Sequence, residues 1–259
     1  MWLLAVAIYF GLKWVSWWKA RNRVVHTAGR SVAYLLAWPG MDAEAFLDAR
    51  QRVSPPSLRS WCWAVCKTAL GVTLLWAVAR TTPGNEPLLQ GWVGMIGLIL
   101  LLHFGSFEII ALVWQRLGVN ARPIMSAPLR SRSLSEFWGK RWNLGFRQLS
   151  YDLIFRPLHR KWGVGLAGFL VFVTSGLIHD LVISVPARGG YGRPTIYFAI
   201  QGLGVAIERS AIGKQLGLRE GARGWMFMAV FTAAPVFLLF HPPFVLHVMI
   251  PFMEAIHAL

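Results

Sequence analysis

The sequence predicts an all-α membrane protein, a bundle of about seven spanning or re-entrant helices with amphipathic helices on its cytoplasmic surface. Of its 259 residues, 56% are hydrophobic and only 14% are charged, whereas soluble domains carry roughly 25% charged residues. Several apolar runs approach the roughly 20 residues that cross a bilayer core as a helix. The basic residues gather in a few loops, which is the pattern of the cytoplasmic side of membrane proteins.

The net charge of +15 has a plain explanation in such a protein. Lys and Arg concentrate in cytoplasmic loops, so no nucleic-acid partner is expected. Cys62 and Cys66 lie four residues apart in an apolar run, and we interpret them as small buried hydrophobic residues rather than a disulfide or a metal site. We expect a multi-pass integral membrane protein, in a bacterial inner membrane, with its basic loops in the cytoplasm.

The first part of the chain predicts one membrane helix and one shorter element. Met1 to Trp18 is apolar except for Lys13, which we expect to snorkel from near the helix end. Ser31 to Trp38 is too short to span, and the following W-P-G-M-D breaks any helix. Ala43 to Gln51 then predicts a short amphipathic helix with Phe46 and Leu47 on its apolar side. Together these stretches indicate an interfacial or re-entrant element.

Six further apolar runs predict membrane-embedded helices. They are Trp61 to Ala79, Gly91 to Gln115, Gly163 to Val185, Thr195 to Ile207, Trp225 to Phe240 and, after the His241-Pro242-Pro243 break, Phe244 to Leu259. With these crossings every Lys/Arg-rich loop falls on one side of the membrane, which supports the topology. The sequence shows no internal repeat, so we expect a single domain over residues 1–259.

Residues 132–162 form the most polar part of that domain and are expected in the cytoplasm or at the interface. They combine many Lys and Arg residues with Trp, Phe and Tyr. Amphipathic helices lying on the membrane surface explain both features. The predicted helix over residues 163–185 follows directly and carries an imidazole and a carboxylate within an apolar run.

His179 and Asp180 lie in the apolar run that ends at Pro186. Ionisable residues inside a membrane segment indicate a functional site, and a neutral imidazole is the usual general base. Neighbouring residues of a helix do not share a face, so Asp180 need not orient His179. A histidine held by an interhelical hydrogen bond explains the pattern equally well. By residue count, His179 falls toward the far side of the membrane, which requires a tilted or broken helix or a re-entrant Asn143.

Asn143 ends the run F-W-G-K-R-W-N. Its amide offers two donors and an acceptor, which suits holding a carbonyl or a developing oxyanion; a cap or turn role is the ordinary alternative. His103 and Glu108 are five residues apart in another apolar run, so they are not closely aligned on a helix. They line an internal cavity or serve as partners to other helices, and the roles of these two residues and of Asp180 stay open.

Long motifs of mixed residue type give the chain a family resemblance. The pattern S-x-x-E-F-W-G-x-R-W-N ends at Asn143, and S-G-x-x-H-D ends at Asp180. With W-P-G-M-D upstream and H-P-P-F-V from His241 to Val245, the chain resembles the membrane-bound O-acyltransferase family, most closely its wax-synthase-like branch. The resemblance runs from about Tyr34 to the end of a chain that is shorter than is usual for the family, with fewer helices upstream.

The resemblance implies a fold, an activity and a site. It implies acyl transfer from a thioester, usually acyl-CoA, to a hydroxyl acceptor in a tunnel through the helix bundle, with His179 as the catalytic histidine and Asn143 as the motif asparagine. His179 would act as general base in a ternary complex. Acyl-CoA is then a co-substrate, and no cofactor or metal is expected.

The basic segment has two interpretations that the sequence leaves open. It contacts lipid headgroups, or it binds the phosphates of acyl-CoA, to which Arg side chains pair well. Lys140, Arg141 and Arg147, together with Trp142, are the candidates for acyl-CoA binding. The expected partners are membrane lipids, the acyl-CoA donor and a lipophilic hydroxyl acceptor, whose identity and chain length the sequence does not specify.

Two other classes of function remain as alternatives. A transporter or channel would line its path with polar residues such as Glu208, but the sequence lacks the paired halves of many transporters. A catalytically silent lipid-binding relative would share every motif. A di-iron desaturase is excluded because the seven histidines are scattered along the chain.

Overall fold

The computed structural model describes residues 2–51 and 53–259, and within these ranges every regular element is helical. The predicted all-α class is confirmed. The α-helices are α1 (Trp2–Ala20), α2 (Ala28–Ala37), α3 (Ala43–Leu47), α4 (Leu58–Thr81), α5 (Pro87–Arg116), α6 (Leu134–Glu136), α7 (Leu144–Ala187), α8 (Arg193–Arg209), α9 (Ala211–Gln215), α10 (Gly221–Leu239), α11 (Pro242–Phe244) and α12 (Ile250–Ala255). Further turns are a 3₁₀ turn at Pro128–Arg130 and π-helical turns at Phe137–Arg141 and Val245–Met249.

Within the described ranges, four helices are long and apolar enough to cross a membrane, namely α4, α5, α7 and α10. The chain is therefore an integral membrane protein. The other three predicted runs fall on α1, α8 and the helices after His241, and the total of about seven embedded helices stays a prediction. Met1, the first residue of the first predicted run, lies outside the described residues.

The chain forms two compact units. The first contains the described residues up to Met125, with Leu144–Leu149 and Met253–Leu259, and the second contains Ser126–Asn143 and Ser150–Phe252. The expectation of a single domain over the whole chain stays a prediction.

In the first unit, α1, α2 and α3 enclose an aromatic core around Tyr34, Trp38 and Phe46. Phe46 is fully buried, as its place on the apolar side of the short helix predicted. Lys13 does not snorkel, which corrects the expectation from its position near a helix end. Its ammonium donates to the carbonyl of Gly40 and lies 3.6 Å from the centre of the Tyr34 ring. The W-P-G-M-D turn thus supplies the partner that a buried lysine needs.

Helices α4 and α5 form a close hairpin in the same unit. A Cβ on Gly71 would lie 2.5 Å from the backbone nitrogen of Leu101, so only glycine permits this approach. Lys67 of α4 forms an ion pair with Glu108 of α5. Glu108 is therefore a partner to another helix, which was one of its two predicted roles.

The two cysteines of α4 are exposed, which corrects their predicted burial. Ala64 and Gly71 form the buried face of this helix, and both Cys62 and Cys66 lie off that face. On a membrane helix, small apolar side chains are as well placed against lipid tails as against protein, so apolarity alone does not predict burial there.

In the second unit, α7 is broken at Gly163, whose φ of 78° and ψ of 167° are not helical. An unbroken helix of 44 residues would be about 66 Å long at ~1.5 Å per residue, roughly twice the thickness of a bilayer core. The break separates the basic first part from the apolar part that carries His179. A broken helix is one of the arrangements that the residue count required. His179 lies 16 residues beyond the break, or about 24 Å along the helix.

Helix α8 packs closely along the apolar part of α7. Gly176 of α7 faces Thr195, where a Cβ would come within 2.6 Å of the Cα atom. Gly202 of α8 faces Phe169 and Phe172, and a Cβ on Gly202 would lie 2.8 Å from the Phe169 ring and 3.3 Å from the Phe172 ring. Small residues at both crossings let the two backbones approach, which is the usual basis of helix association in membranes.

The motif segment before Asn143 differs from the predicted surface helix. It forms the single turn α6 and the π-helical turn Phe137–Arg141. Leu134 and Phe137 are buried, and they pack with Met228 of α10. This part of the basic segment thus packs into the second unit. Its expected place in the cytoplasm or at the interface stays a prediction.

Candidate functional site

His179 ends the α-helical part of α7 and precedes a π-helical turn, Asp180–Ser184. Its Nδ1 lies 2.7 Å from the carbonyl oxygen of Ser175, one turn earlier. A carbonyl only accepts, so Nδ1 of the imidazole carries the proton and donates it. In the neutral ring, Nε2 then carries the lone pair. This is the tautomer that a base acting through Nε2 requires.

An aromatic side chain of α8 positions the other side of this imidazole. The ring of Phe198 is 4.5 Å from that of His179, centre to centre. Phe198 is buried and in turn contacts Trp138 of the motif segment at 5.7 Å. Trp138 also contacts Phe172 of α7 at 5.8 Å. The structure thus brings the motif segment within one side chain of His179.

Trp138 is held by a buried amide. Its indole Nε1 donates to Oε1 of Gln201 over 3.2 Å, and Nε2 of Gln201 donates to the carbonyl of Phe231 over 2.7 Å. Sequence reasoning missed Phe198 and Gln201. Gln201 was detectable as a lone amide in an apolar run, whereas a phenylalanine among many gives no signal before the helices are packed.

The turn Phe137–Arg141 is also stabilised by an ion pair between Glu136 and Arg141. Oε2 of Glu136 accepts from the backbone N–H of Arg132 over 2.7 Å, and Oε1 accepts from Nε of Arg141 over 2.8 Å. The Arg132 N–H first, and then the Arg141 guanidinium, lower the pKa of the Glu136 carboxyl. Arg141 also donates to the carbonyl of Ser126 over 3.2 Å. Arg141 therefore stabilises the turn that leads to Asn143.

The remaining predicted site residues lie at the end of this turn. Asn143 is half-buried and has a φ of 42°, in the left-handed region that asparagine enters more readily than most residues. Trp142 stacks on Phe137 at 5.3 Å. Lys140 is exposed; Arg147 is exposed as well and belongs to the first unit. Their roles toward acyl-CoA stay predictions.

Asp180 anchors the loop after α7. Oδ1 of its carboxylate accepts from the N–H of Gly192 and from the hydroxyl of Ser184, each over 2.8 Å. Oδ2 accepts from the N–H of Thr195 over 3.1 Å and from the Thr195 hydroxyl. The Asp180 carboxylate therefore binds the loop. The sequence had left the role of Asp180 open, because adjacent residues of a helix do not share a face.

Glu208, a residue that a transport path would use, also has a structural partner. Its side chain is fully buried, and Oε2 accepts from the backbone N–H of Ser135 over 3.0 Å. Glu208 and Asp180 thus join elements of the second unit, and Glu108 joins two helices of the first.

Comparisons with known proteins cover the region that holds these residues. Residues 121–200, which include Asn143 and His179, match the membrane bound O-acyl transferase family. A probable long-chain-alcohol O-fatty-acyltransferase 1 from Arabidopsis thaliana is 29% identical over 73% of this chain and 57% of its own length. The long-chain-alcohol O-fatty-acyltransferase of Simmondsia chinensis is 28% identical over 51% of this chain and 40% of its own length. The chain spans about half the length of the curated relatives it matches.

Proposed function

We propose, from the match of residues 121–200 to the membrane bound O-acyl transferase family, that the protein transfers a fatty acyl group from acyl-CoA to the hydroxyl of a lipophilic alcohol. The names of the relatives favour a long-chain alcohol as the acceptor. The observation that carries the proposal is the His179 imidazole, whose proton is held on Nδ1 by the Ser175 carbonyl.

In the proposed reaction, Nε2 of His179 takes the proton of the acceptor hydroxyl. The hydroxyl oxygen attacks the thioester carbonyl carbon, the carbon–sulfur bond breaks, and the proton passes from the imidazolium to the leaving thiolate. Ester and free thiol are the products. The Ser175 carbonyl supports the transient imidazolium through the Nδ1–H. General-base catalysis of this kind is typically worth ~10²–10⁴ in rate.

We assign Asn143 to the acyl carbonyl, because an amide N–H donates well to an oxygen on which charge develops. Lys140 and Trp142 are proposed contacts of the CoA moiety, on a turn that Arg141 stabilises. Arg147, in the first unit, is proposed as a further acyl-CoA contact on its charge alone. Donor and acceptor bind together in a ternary complex, since a base that activates the hydroxyl directly needs no acyl-enzyme. We place the protein in a bacterial inner membrane, with its basic loops in the cytoplasm.

The test is an acyl-transfer assay on the purified protein in lipid nanodiscs. Palmitoyl-CoA is supplied with hexadecanol, with a sterol, or without an acceptor, and both free CoA and ester are measured. Stoichiometric CoA and wax ester with hexadecanol would support the proposal. An intact thioester under all three conditions would contradict it and would favour the silent lipid-binding relative.

A further inference from the structure

A buried polar chain connects the H-P-P-F-V motif to the turn that follows His179. His241 and Ser184 are both fully buried. Nε2 of His241 lies 3.1 Å from Oγ of Ser184, and Ser184 Oγ lies 2.8 Å from Oδ1 of Asp180. All three residues lie in the second unit.

The other ring nitrogen fixes the direction of these hydrogen bonds. Nδ1 of His241 accepts from the backbone N–H of Phe244 over 3.2 Å and so caps α11. Nδ1 therefore has no proton, and the proton of the neutral ring is on Nε2. Nε2–H donates to Ser184 Oγ, whose own proton goes to the Asp180 carboxylate.

This direction excludes a nucleophilic serine. In a hydrolytic triad, the histidine accepts the proton of the serine hydroxyl and donates through its other nitrogen to a carboxylate. Here the histidine donates to the serine, and the serine donates to the carboxylate. Such a chain does not activate Ser184; it fixes Asp180, and with it the turn Asp180–Ser184.

The surrounding backbone is shaped to admit the imidazole. Gly190 has a φ of 71°, and a Cβ at this position would lie 2.5 Å from the His241 ring. The ring therefore packs directly on the loop backbone, which Asp180 holds from the other side through Gly192 and Thr195. His179 is the residue immediately before this fixed turn.

We propose that His241 is a positioning residue for acyl transfer, which through Ser184 and Asp180 fixes the turn after His179 and thereby the direction of the His179 imidazole. The inference rests on the proposed function of His179. Ser184 adds a hydrogen bond to Asp180 beyond those from Gly192 and Thr195, and through it the Asp180–Ser184 turn is linked to His241.

Two substitutions separate positioning from simple tethering. His241→Asn keeps an acceptor for the Phe244 N–H, since asparagine is a favoured cap residue, but it lacks the donor at the position of Nε2. His241→Gln places an amide donor near Ser184 and loses the cap. His247→Ala is the matched control, since His247 also secures the end of α7, through the Ala187 carbonyl at 3.0 Å, without reaching Ser184.

Positioning predicts that activity and stability separate in the two variants. His241→Asn lowers kcat about 10- to 100-fold, as a misplacement of ~1 Å does, with the KM for acyl-CoA and the thermal midpoint close to wild type. His241→Gln melts earlier and retains kcat within about threefold, and Ser184→Ala behaves like His241→Asn. A normal kcat in His241→Asn, or an equal loss in His247→Ala, would overturn the proposal.

A second readout is independent of turnover. Magic-angle-spinning NMR of the ¹⁵N-histidine protein in lipid, with the His179 signal assigned by its loss in His179→Ala, reports the hydrogen bonding of that ring. His241→Asn should shift the His179 resonances and leave those of His159 in place. If wild type lacks acyl transfer but the resonances shift, the proposed function fails and the positioning stands. Unchanged His179 resonances in an active protein would reject the positioning alone.

Discussion

Two histidines of the same helix, α7, have the same local hydrogen bond and very different surroundings. Nδ1 of His159 lies 2.8 Å from the carbonyl of Arg156, and Nδ1 of His179 lies 2.7 Å from the carbonyl of Ser175. Both rings also face an aromatic ring. The partner of His159 is Phe155 of its own helix, at 5.3 Å, whereas the partner of His179 comes from α8.

The difference shows which properties of a histidine are set by its own helix and which by tertiary packing. The helix alone sets the tautomer, because a carbonyl one turn back takes the Nδ1 proton in both cases. Only His179 has its ring direction set by another helix, through Phe198. His159 lies among Arg156, Arg160 and Lys161, in the basic part before the Gly163 break. The break thus separates a histidine of the basic part from one that packs against α8.

The largest expected effect distinguishes these two rings directly. His179→Ala should lower the rate of acyl transfer by about 10²–10⁴, the usual contribution of a general base. His159→Ala removes an imidazole with the same backbone bond and should leave kcat within about twofold. The assay is ester formation in nanodiscs at matched amounts of folded protein. Equal losses in both variants would abolish the distinction and the catalytic assignment with it.

Replacing Gly163, at the break between the two regions, by alanine should lower the stability of the protein. The φ and ψ of Gly163 lie in a region open essentially to glycine, so Gly163→Ala should cost about 1–3 kcal/mol of stability. Gly165→Ala, two residues on, has helical backbone and open space around its Cβ, and should be neutral or slightly stabilising. Thermal unfolding followed by tryptophan fluorescence measures both. A neutral Gly163→Ala would mean that α7 does not need its break.

The partner rings give a smaller effect on activity. Phe198→Leu keeps most of the buried volume, so we expect it to cost under about 1.5 kcal/mol of stability, but the His179 ring loses its planar neighbour. We expect kcat to fall about tenfold, since a loosely held base spends less time aligned with its substrate. Phe155→Leu makes the same change beside His159. Unaltered kcat in Phe198→Leu would show that the Phe198 ring is not needed to orient His179.

The smallest effect concerns pH and the buried His241, which follows α10. Burial first, and then the positive charge of Arg193, lower the pKa of His241, while Asp180 acts in the opposite direction. With the folded-state pKa below the unfolded value of roughly 6.5, the unfolded chain binds more protons as pH falls past that value. Stability is therefore full above about pH 6.5 and decreases as pH falls toward the folded-state pKa.

A thermal-midpoint series from pH 7.5 to 5.5 tests this effect. His241→Asn has no imidazole at this position, so its decline with falling pH should be shallower than that of wild type. Parallel declines in the two proteins would assign the pH dependence to other groups.

The sequence predicted the features that depend on composition and on long motifs. The all-α class followed from apolar runs and is confirmed. The roles of His179 and Asn143, which rest on an imidazole in one such run and on the family resemblance, stay predictions. Sequence reasoning was wrong where burial depends on a partner elsewhere in the chain. Lys13 is buried because Gly40 offers a carbonyl, and Cys62 is exposed because α4 packs through another face.

Phe198 could not be identified from the sequence for a related reason. It lies on α8 at a position whose role depends on how α7 and the motif segment pack against that helix. Periodicity identifies the inward face of a soluble helix, but a helix apolar on all sides gives no such phase. His241 was visible as part of a motif, yet its bond to Ser184 joins residues 57 positions apart.

The hydrogen bonds from Gly192 and Thr195 to the Asp180 carboxylate also determine when this loop loses its conformational entropy. Ordering a residue of backbone costs roughly 1–2 kcal/mol of conformational entropy. Because the carboxylate holds Gly192 and Thr195 in place, this part of the loop is already ordered when the chain folds. That entropy is then lost on folding and not again in each cycle of the proposed reaction. The amides of Gly192 and Thr195, although next to a glycine-rich turn, should accordingly exchange with deuterium as slowly as helical ones.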